Sequence, residues 1–222
     1  DVMKFALLSG RRVEAQPKLR AICPACSGEV IAKCGQHIVW HWAHSSRSHC
    51  DHWWESETDW HREWKNRFPT EWQEVPMVDA LSGELHIADV KTAANLVIEF
   101  QRSSIHPDEV RSREDFYGRM IWVIDGRKND ADRFNFRNMR SNPNSDGISQ
   151  FQWFGRSTLF SRWHTLKPVF IDFGPEHGFW RILRFDLKTK RGLAGACDIS
   201  GFVELASSGA TDFSSVGGPG SV

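Results

Sequence analysis

Four of the five cysteines in this chain, Cys23, Cys26, Cys34 and Cys50, fall in its first quarter, interleaved with His37, His41, His44, His49 and His52. Thiols and imidazoles at that density set the terms on which the segment can fold. An odd number of cysteines without an export signal argues against a disulfide framework and for a metal. The word CPAC is a knuckle: two thiolates three residues apart, whose neighbouring backbone amides support the sulfurs of a tetrahedral site. A second pair must complete the tetrahedron. His41 and His44 in HWAH repeat the knuckle spacing, His44 with Cys50 gives a set of three thiolates and one imidazole, and Cys34 is a third option. The preferred quartet is Cys23, Cys26, His44 and Cys50, with His41 as the alternate. Four protein ligands leave no open position, so the expected ion is a structural Zn2+. Without a metal, the same residues would be buried free thiols.

The rest of the composition is ordinary, with 40% hydrophobic and 25% charged residues. A chain of 222 residues can form one domain with an attachment, or two small ones. The formal net charge is zero, so nucleic-acid or membrane binding has to come from a local patch. No run approaches the roughly 18 apolar residues of a membrane span. The stretch DVMKFALLSGRRVEA has only a short apolar run and no signal-peptide layout, and a cytoplasmic location is expected. Eleven tryptophans accompany a single tyrosine, many of them between Trp40 and Trp72. Trp40, Trp42, Trp53 and Trp54 could stack on unpaired bases; the preferred reading makes them the small core that a metal ribbon needs.

Residues 3 to 22 read as a β-rich lead-in, followed by the short β-prone runs of the cysteine segment. From Glu55, ESETDWHREWKNRF has helical spacing, with Trp60, Trp64 and Phe68 as a core stripe. Glu57, His61 and Lys65 form a second row about 100° round the same helix. Pro69 stops it. EWQEVPMVDA and LHIADVKTA are strands around an LSGE turn. HPDEVRSREDFYGRM is a helix opened by Pro107 with Asp108 and Glu109 in its first turn, and MIWVID is a buried strand. Residues 127 to 150 read as a polar loop with a short helix, and KPVFIDFG and FWRILRFDLKT as a late hairpin or meander. From Ser207 the tail lacks the apolar content to fold and is expected to be disordered.

Within NLVIEFQRSS, Glu99 and Gln101 interrupt an apolar run. Burying a carboxylate without a partner costs several kcal/mol. Alternate strand residues share a face, so Val97, Glu99 and Gln101 point one way and Ile98 and Phe100 the other. In the preceding strand Ile87, Asp89 and Lys91 share a face, and a tight turn lets Asp89 and Glu99 converge. Converging carboxylates need a cation between them, and oxygen ligands favour Mg2+ or Mn2+. A single acid at a strand end is more often a salt bridge. Glu57, His61 and Lys65 could equally be a solvated helix face, and Arg111 and Arg113 could simply pair with Glu109 and Glu114.

The order helix, three strands, helix, strand, with Asp-x9-Glu-x-Gln across the hairpin, resembles the PD-(D/E)XK nuclease superfamily, in which Gln recurs in place of the usual last Lys. HWAH, ETDWHREWK, HIADVKTAANLVIEFQRSSI and REDFYGRMIWVID, in this order, look like the competence protein CoiA family. The resemblance covers roughly residues 12 to 126. It implies an α/β fold: a zinc-ribbon-like module over 1–54, an αβββαβ restriction-endonuclease-like core with a mixed central sheet over 55–150, and a β-rich extension over 151–206 before the 207–222 tail. It implies that Asp89 and Glu99 hold Mg2+ or Mn2+, that Gln101 positions the attacking water and that Glu57 assists. Such an ion would activate its water and orient the scissile phosphate. Glutamine can only orient, so the lysine role passes to Lys91 or Lys65. The implied activity is a metal-dependent deoxyribonuclease in competence, recombination or defence against foreign DNA, with Arg102, Arg111, Arg113 and Arg119 on the DNA backbone. Two alternatives stand beside it. One is a non-catalytic zinc-ribbon module that binds DNA or a partner; the other is an HNH-type finger with His41 or His44 as general base, which leaves Asp89 and Glu99 unexplained.

Overall fold

A computed structural model describes residues 2–46, 50–160 and 167–213. The chain divides into two compact units, Asp1–Lys91 and Thr92–Val222. The first unit opens with six short antiparallel strands: β1 (Val2–Met3), β2 (Phe5–Leu8), β3 (Arg11–Glu14), β4 (Arg20–Ile22), β5 (Glu29–Lys33) and β6 (His41–His44). Their order in the sheet is β1-β6-β5-β4-β2-β3. Ser9 and Gly10, at φ 50° and 78°, make the two-residue turn between β2 and β3, the left-handed pair that fits a twisted hairpin. One face buries Met3, Ala6, Ala21, Cys23, Val30 and Trp42, against which Ile87 packs.

Helix α1 (Asp59–Lys65) starts where Thr58, in extended conformation, accepts the His61 amide. The helix therefore begins four residues later than expected, and Glu57 lies in the chain before it rather than on it. The stripe of Trp60, Trp64 and Phe68 is buried, each ring no more than 4% exposed. After Pro69 a single 3-10 turn, Thr70–Trp72, leads into β7 (Gln73–Val78). Asp79 accepts the amides of Leu81 and Ser82 and turns the chain into β8 (Leu85–Lys91), which pairs antiparallel with β7. Strand β8 alternates, burying His86, Ala88 and Val90.

Expected boundaries after residues 54 and 150 do not coincide with this division. The reason is a set of polar ties to the β7–β8 hairpin: Glu74 accepts the amides of Lys4 and Phe5, and Asp51 accepts that of Ile87. Those bonds draw the hairpin into one unit with the N-terminal strands.

In the second unit, a turn with Asn95 at φ 58° and Thr92 Oγ1 accepting the Leu96 amide precedes β9 (Val97–Gln101). Helix α2 (Pro107–Tyr117) returns the chain to β10 (Met120–Asp125), parallel to β9. Helix α3 (Asp130–Met139) is the short helix expected in the polar stretch. Strands β11 (Ile148–Gln152), β12 (Val169–Asp172), β13 (Phe179–Asp186) and β14 (Arg191–Cys197) follow. β12 lies parallel to β10, and β12, β13, β14 and β11 run on as an antiparallel meander.

Phe136 on α3 anchors one core, stacked on Phe173 at 4.6 Å and edge-on to Phe151 and Trp180. A second aromatic group of Phe170, Phe179, Phe202 and Phe213 includes α4 (Ile199–Ser207), a helix the sequence reading did not anticipate. Phe213 is only 2% exposed, so the stretch from Ser207 to Phe213 is packed rather than a disordered tail; residues 214–222 lie outside the described residues. Truncating Phe136 to alanine should lower stability by about 3–5 kcal/mol, read as a shifted midpoint in urea unfolding.

Candidate functional site

The chain leaves β4 into the CPAC knuckle. Ser27, at φ 60°, donates its amide to Cys23 O at 3.0 Å, and Cys23 N donates to Gly28 O at 2.8 Å, closing a tight loop. The same loop aims two further amides at sulfur: Ala25 N at Cys23 Sγ and Gly28 N at Cys26 Sγ, both at 3.4 Å. A side chain at Gly28 would sit 3.2 Å from Cys26 Sγ and 3.5 Å from the His44 ring, a tight fit beside two of the candidate ligands. Strand β6 supplies His44, and the following loop supplies Cys50. The ligand atoms of Cys23, Cys26, His44 and Cys50 all lie within 4.8 Å of one another.

Cys23 Sγ and Cys50 Sγ are 3.9 Å apart, and Cys26 Sγ is 3.2 Å from His44 Nε2. Sulfurs about 2.3 Å from a tetrahedral Zn2+ would stand about 3.8 Å from each other. The donor set and its spacing therefore fit, and this cluster of three cysteines and a histidine could hold a structural zinc. Hydrogen bonding from the Cys50 thiol pulls Cys23 down to about 5, against a weaker opposing effect of burial, while the same pairing pushes Cys50 up. One sulfur of the pair is thus held as thiolate, the form a metal binds. His41 belongs to no metal-binding group among the described residues; its Nδ1 lies 2.8 Å from Val39 O. Cys34 packs partly buried against the β-sheet core.

Directly after the last ligand, Asp51 is buried at 4% exposure. Its carboxylate accepts the Trp53 and Ile87 amides and meets His86 Nδ1, each at 2.8 Å, while Trp53 stacks on the His86 ring at 3.2 Å. Burial raises the Asp51 pKa, but the hydrogen bonds from His86 and the two amides outweigh it and leave a net lowering. Among the four tryptophans of this segment, Trp42 is fully buried, whereas Trp40 and Trp54 are more than two-fifths exposed.

A second cluster occupies the same unit. Lys65 is 1% exposed, and its ammonium donates to Glu57 Oε2 at 2.7 Å and to Glu74 Oε1 at 2.8 Å. Burial alone would push the Lys65 pKa down; the carboxylates of Glu74, Glu57 and Asp89 more than reverse this and raise it. Glu57 also accepts Arg62 Nε at 2.7 Å, and Glu74 the Lys4 and Phe5 amides. His61, 3% exposed, meets Thr58 Oγ1 and Glu55. Glu57, His61 and Lys65 are therefore not a solvated helix face. Glu74, whose role was not read from the sequence, completes the cluster from β7, and its carboxylate also ties in the backbone of Lys4 and Phe5 near the start of the chain. Lys91 ends β8, half-buried.

Glu99 and Gln101 lie on β9, whose five residues are all buried. Gln101 donates Nε2 to Ser103 O at 3.2 Å. Arg113 on α2 donates to Glu99 at 3.1 Å and also to Glu109. One cation that answers Glu99 is thus an arginine of its own unit. Arg113 is 5% exposed, which removes it from the expected DNA-contacting set. Arg102 pairs with the buried Asp125, and Arg111, 63% exposed, pairs with Asp108.

Fold and site together define a mixed α/β protein with two sheets and an N-terminal module whose cysteine–histidine cluster could hold a metal. The model of the family described as competence protein CoiA, N-terminal domain, matches residues 12–52, a span that contains the whole cysteine–histidine cluster. No curated protein and no solved structure matches the chain. No helix among the described residues is long and apolar enough to cross a membrane.

Two outcomes follow from these geometries. Purified protein should carry about one zinc per chain by elemental analysis, and Cys26→Ser or Cys50→Ser should abolish it and lower the melting temperature. Glu57 is held below its ordinary value of 4.5, with burial opposed by the larger sum of Lys65, Arg62 and His61. A carboxyl depressed in the folded state adds stability that is present above its unfolded pKa and is lost as pH falls through the folded one. Glu57→Gln should therefore flatten the decline of melting temperature below about pH 4.5, a range set by the unfolded glutamate pKa.

Proposed function

We propose that this protein is a metal-dependent deoxyribonuclease of the CoiA kind, hydrolysing phosphodiester bonds in the processing of incoming DNA. The N-terminal match points to a competence-related role. The observation that carries the nuclease reading is the burial of Lys65 among Glu57, Glu74 and Asp89. Apolar packing would stabilise a core at least as well as a buried ion cluster, so its presence supports a chemical use. The element order α1, β7, β8, β9, α2, β10 agrees with the αβββαβ core of that nuclease superfamily.

In this reading Asp89 and Glu99 would hold a divalent ion, whose chemistry would be to activate a water and stabilise charge on the phosphate. Gln101 would orient that water. Lys65 stands in for the missing motif lysine through its field beside Asp89, with Lys91 as the other candidate. Glu57 and Glu74 hold Lys65 charged and in place. For Glu99 to bind a metal, Arg113 must share or release it, so Arg113 becomes a positioning residue. Arg102, Arg111 and Arg119 are the remaining candidates for the DNA backbone.

The second reading, a zinc-ribbon module that binds DNA or a partner without cutting, rests on the completeness of the cysteine–histidine cluster. Incubation with linear, circular and single-stranded DNA, with Mg2+, Mn2+ or EDTA, separates the two. Wild type should cleave with either metal and not with EDTA, and Asp89→Ala should lose at least about a hundredfold in rate. If wild type binds DNA yet cleaves nothing, the module reading holds. Equal cleavage by Asp89→Ala would move attention to His41 and His44.

A further inference from the structure

The last hairpin of the second unit, RILRFDLKTKR from Arg181 to Arg191, carries five cationic residues and one acid, Asp186. The sheet geometry decides where they point. In β13 the pairing runs Ile182 with Ala194 and then Arg184 with Leu193, leaving Leu183 as an extra residue, a β-bulge. Unbulged, Leu183 and Phe185 would share a face with Arg191 and Leu193. The bulge moves the strand one residue on, so that Arg184 and Asp186 take that face and Phe185 turns to the other. There Phe185 stacks with Phe151 at 5.9 Å and meets Phe160 at 5.5 Å. Gly192 allows that packing, because a side chain there would lie 2.3 Å from the Phe151 ring.

Strand β11 extends the first face. Gln150 pairs with Leu193 and Gln152 with Arg191, so two amide side chains lie beside the two arginines. Gly195, on the same face and without a side chain, keeps its floor low. These strands border a cavity of about 780 Å3 lined by Met139, Gln150, Gln152, Arg184, Arg191 and Leu193. Arg184 and Arg191 are exposed, as are Lys188 and Lys190 at the hairpin turn. The one acid, Asp186, also lines the cavity: its Oδ1 accepts the Thr189 amide at 2.8 Å and its hydroxyl at 3.0 Å, and its charge lies in the field of Arg184, against four further cationic residues on the hairpin. Two residues past the end of β11, Phe154 donates its amide to the sulfur of Met139, which lines the cavity, at 3.4 Å, and Phe154 itself is 65% exposed.

We infer that this face of β11, β14 and β13 is a binding site for a single strand of DNA, separate from the carboxylate clusters. The inference rests on the reading of the protein as one that processes DNA. Arg184 and Arg191 sit diagonally on adjacent strands, about 7–8 Å apart at their bases, a spacing comparable with that of successive phosphates. Gln150 and Gln152 supply amides that can donate to phosphate or to base edges. Phe154 supplies the exposed ring on which a base stacks, the combination of basic groove and aromatic platform that single strands take. A duplex would present its phosphates without an unpaired base for that ring.

The test is fluorescence anisotropy of a labelled oligo-dT with the full chain, zinc-loaded, over a range of salt and without free divalent metal so that no cleavage occurs. Wild type should bind with an affinity that falls steeply with salt. Arg184→Ala/Arg191→Ala should weaken binding about tenfold or more and lower the slope of log K against log salt by about 1.4, two single-strand phosphate contacts' worth. Phe154→Ala should weaken binding about tenfold while leaving the slope unchanged. Arg184→Lys/Arg191→Lys should keep the salt slope, which a merely structural role would not require. Every altered position is at the surface, and unchanged melting temperatures confirm folding. Unchanged affinity and slope in the double alanine variant, or no binding by wild type, overturns the inference. Neither outcome depends on cleavage: Asp89→Ala should bind like wild type here even if the nuclease reading fails.

Discussion

An ammonium group stripped of water is stable only if carboxylates surround it, and at Lys65 that requirement gathers distant parts of the first unit. Glu57 comes from the segment before α1 and Glu74 from β7. Glu74 reaches back to accept the amides of Lys4 and Phe5 at the start of the sheet. To do so it adopts φ 48°, a left-handed backbone that a glutamate takes only at some cost. One carboxylate thus satisfies a buried cation and two backbone donors. Removing it would leave the two backbone donors unpaired and Lys65 with Glu57 as its remaining bonded carboxylate.

The metal centre has a similar double attachment. Cys23 is a ligand candidate and also a fully buried member of the apolar cluster with Met3, Val30 and Trp42. Its sulfur even approaches Met3 Sδ at 3.7 Å. A six-stranded sheet with so few large side chains in its core has little apolar area to bury, and a tetrahedral ion would supply the cross-link that small domains otherwise lack.

How much of this was legible beforehand depends on the distance over which the information lies. The knuckle, the HWAH strand and Cys50 sit within 28 residues, and ligand spacing is a local rule, so the quartet that the structure brings together was readable. The stripe of Trp60, Trp64 and Phe68 was readable for the same reason. The partner Glu74 was not, because it meets Lys65, and reaches the Lys4 amide, only through the tertiary fold. Nothing in NLVIEFQRSS says that Glu99 is met by Arg113, since that depends on how α2 lies against β9. Helix α4 escaped notice because Gly201 interrupts its pattern and the glycine- and serine-rich tail follows; its start is fixed by Asp198 accepting the Gly201 amide. The bulge at Leu183 left no trace in composition, yet it decides which side of the sheet the arginines occupy.

Asp51 follows Cys50 in the chain, and its carboxylate holds the amide of Ile87 on β8, two residues before Asp89. A ligand and a latch are therefore neighbours on one short piece of backbone. With an ion bound, residue 50 would be pinned and residue 51 delivered to the hairpin with little further loss of freedom. Without one, Asp51 would have more freedom to lose in reaching its strand, and the Glu74 tie to Lys4 and Phe5 would hold the hairpin from its other side.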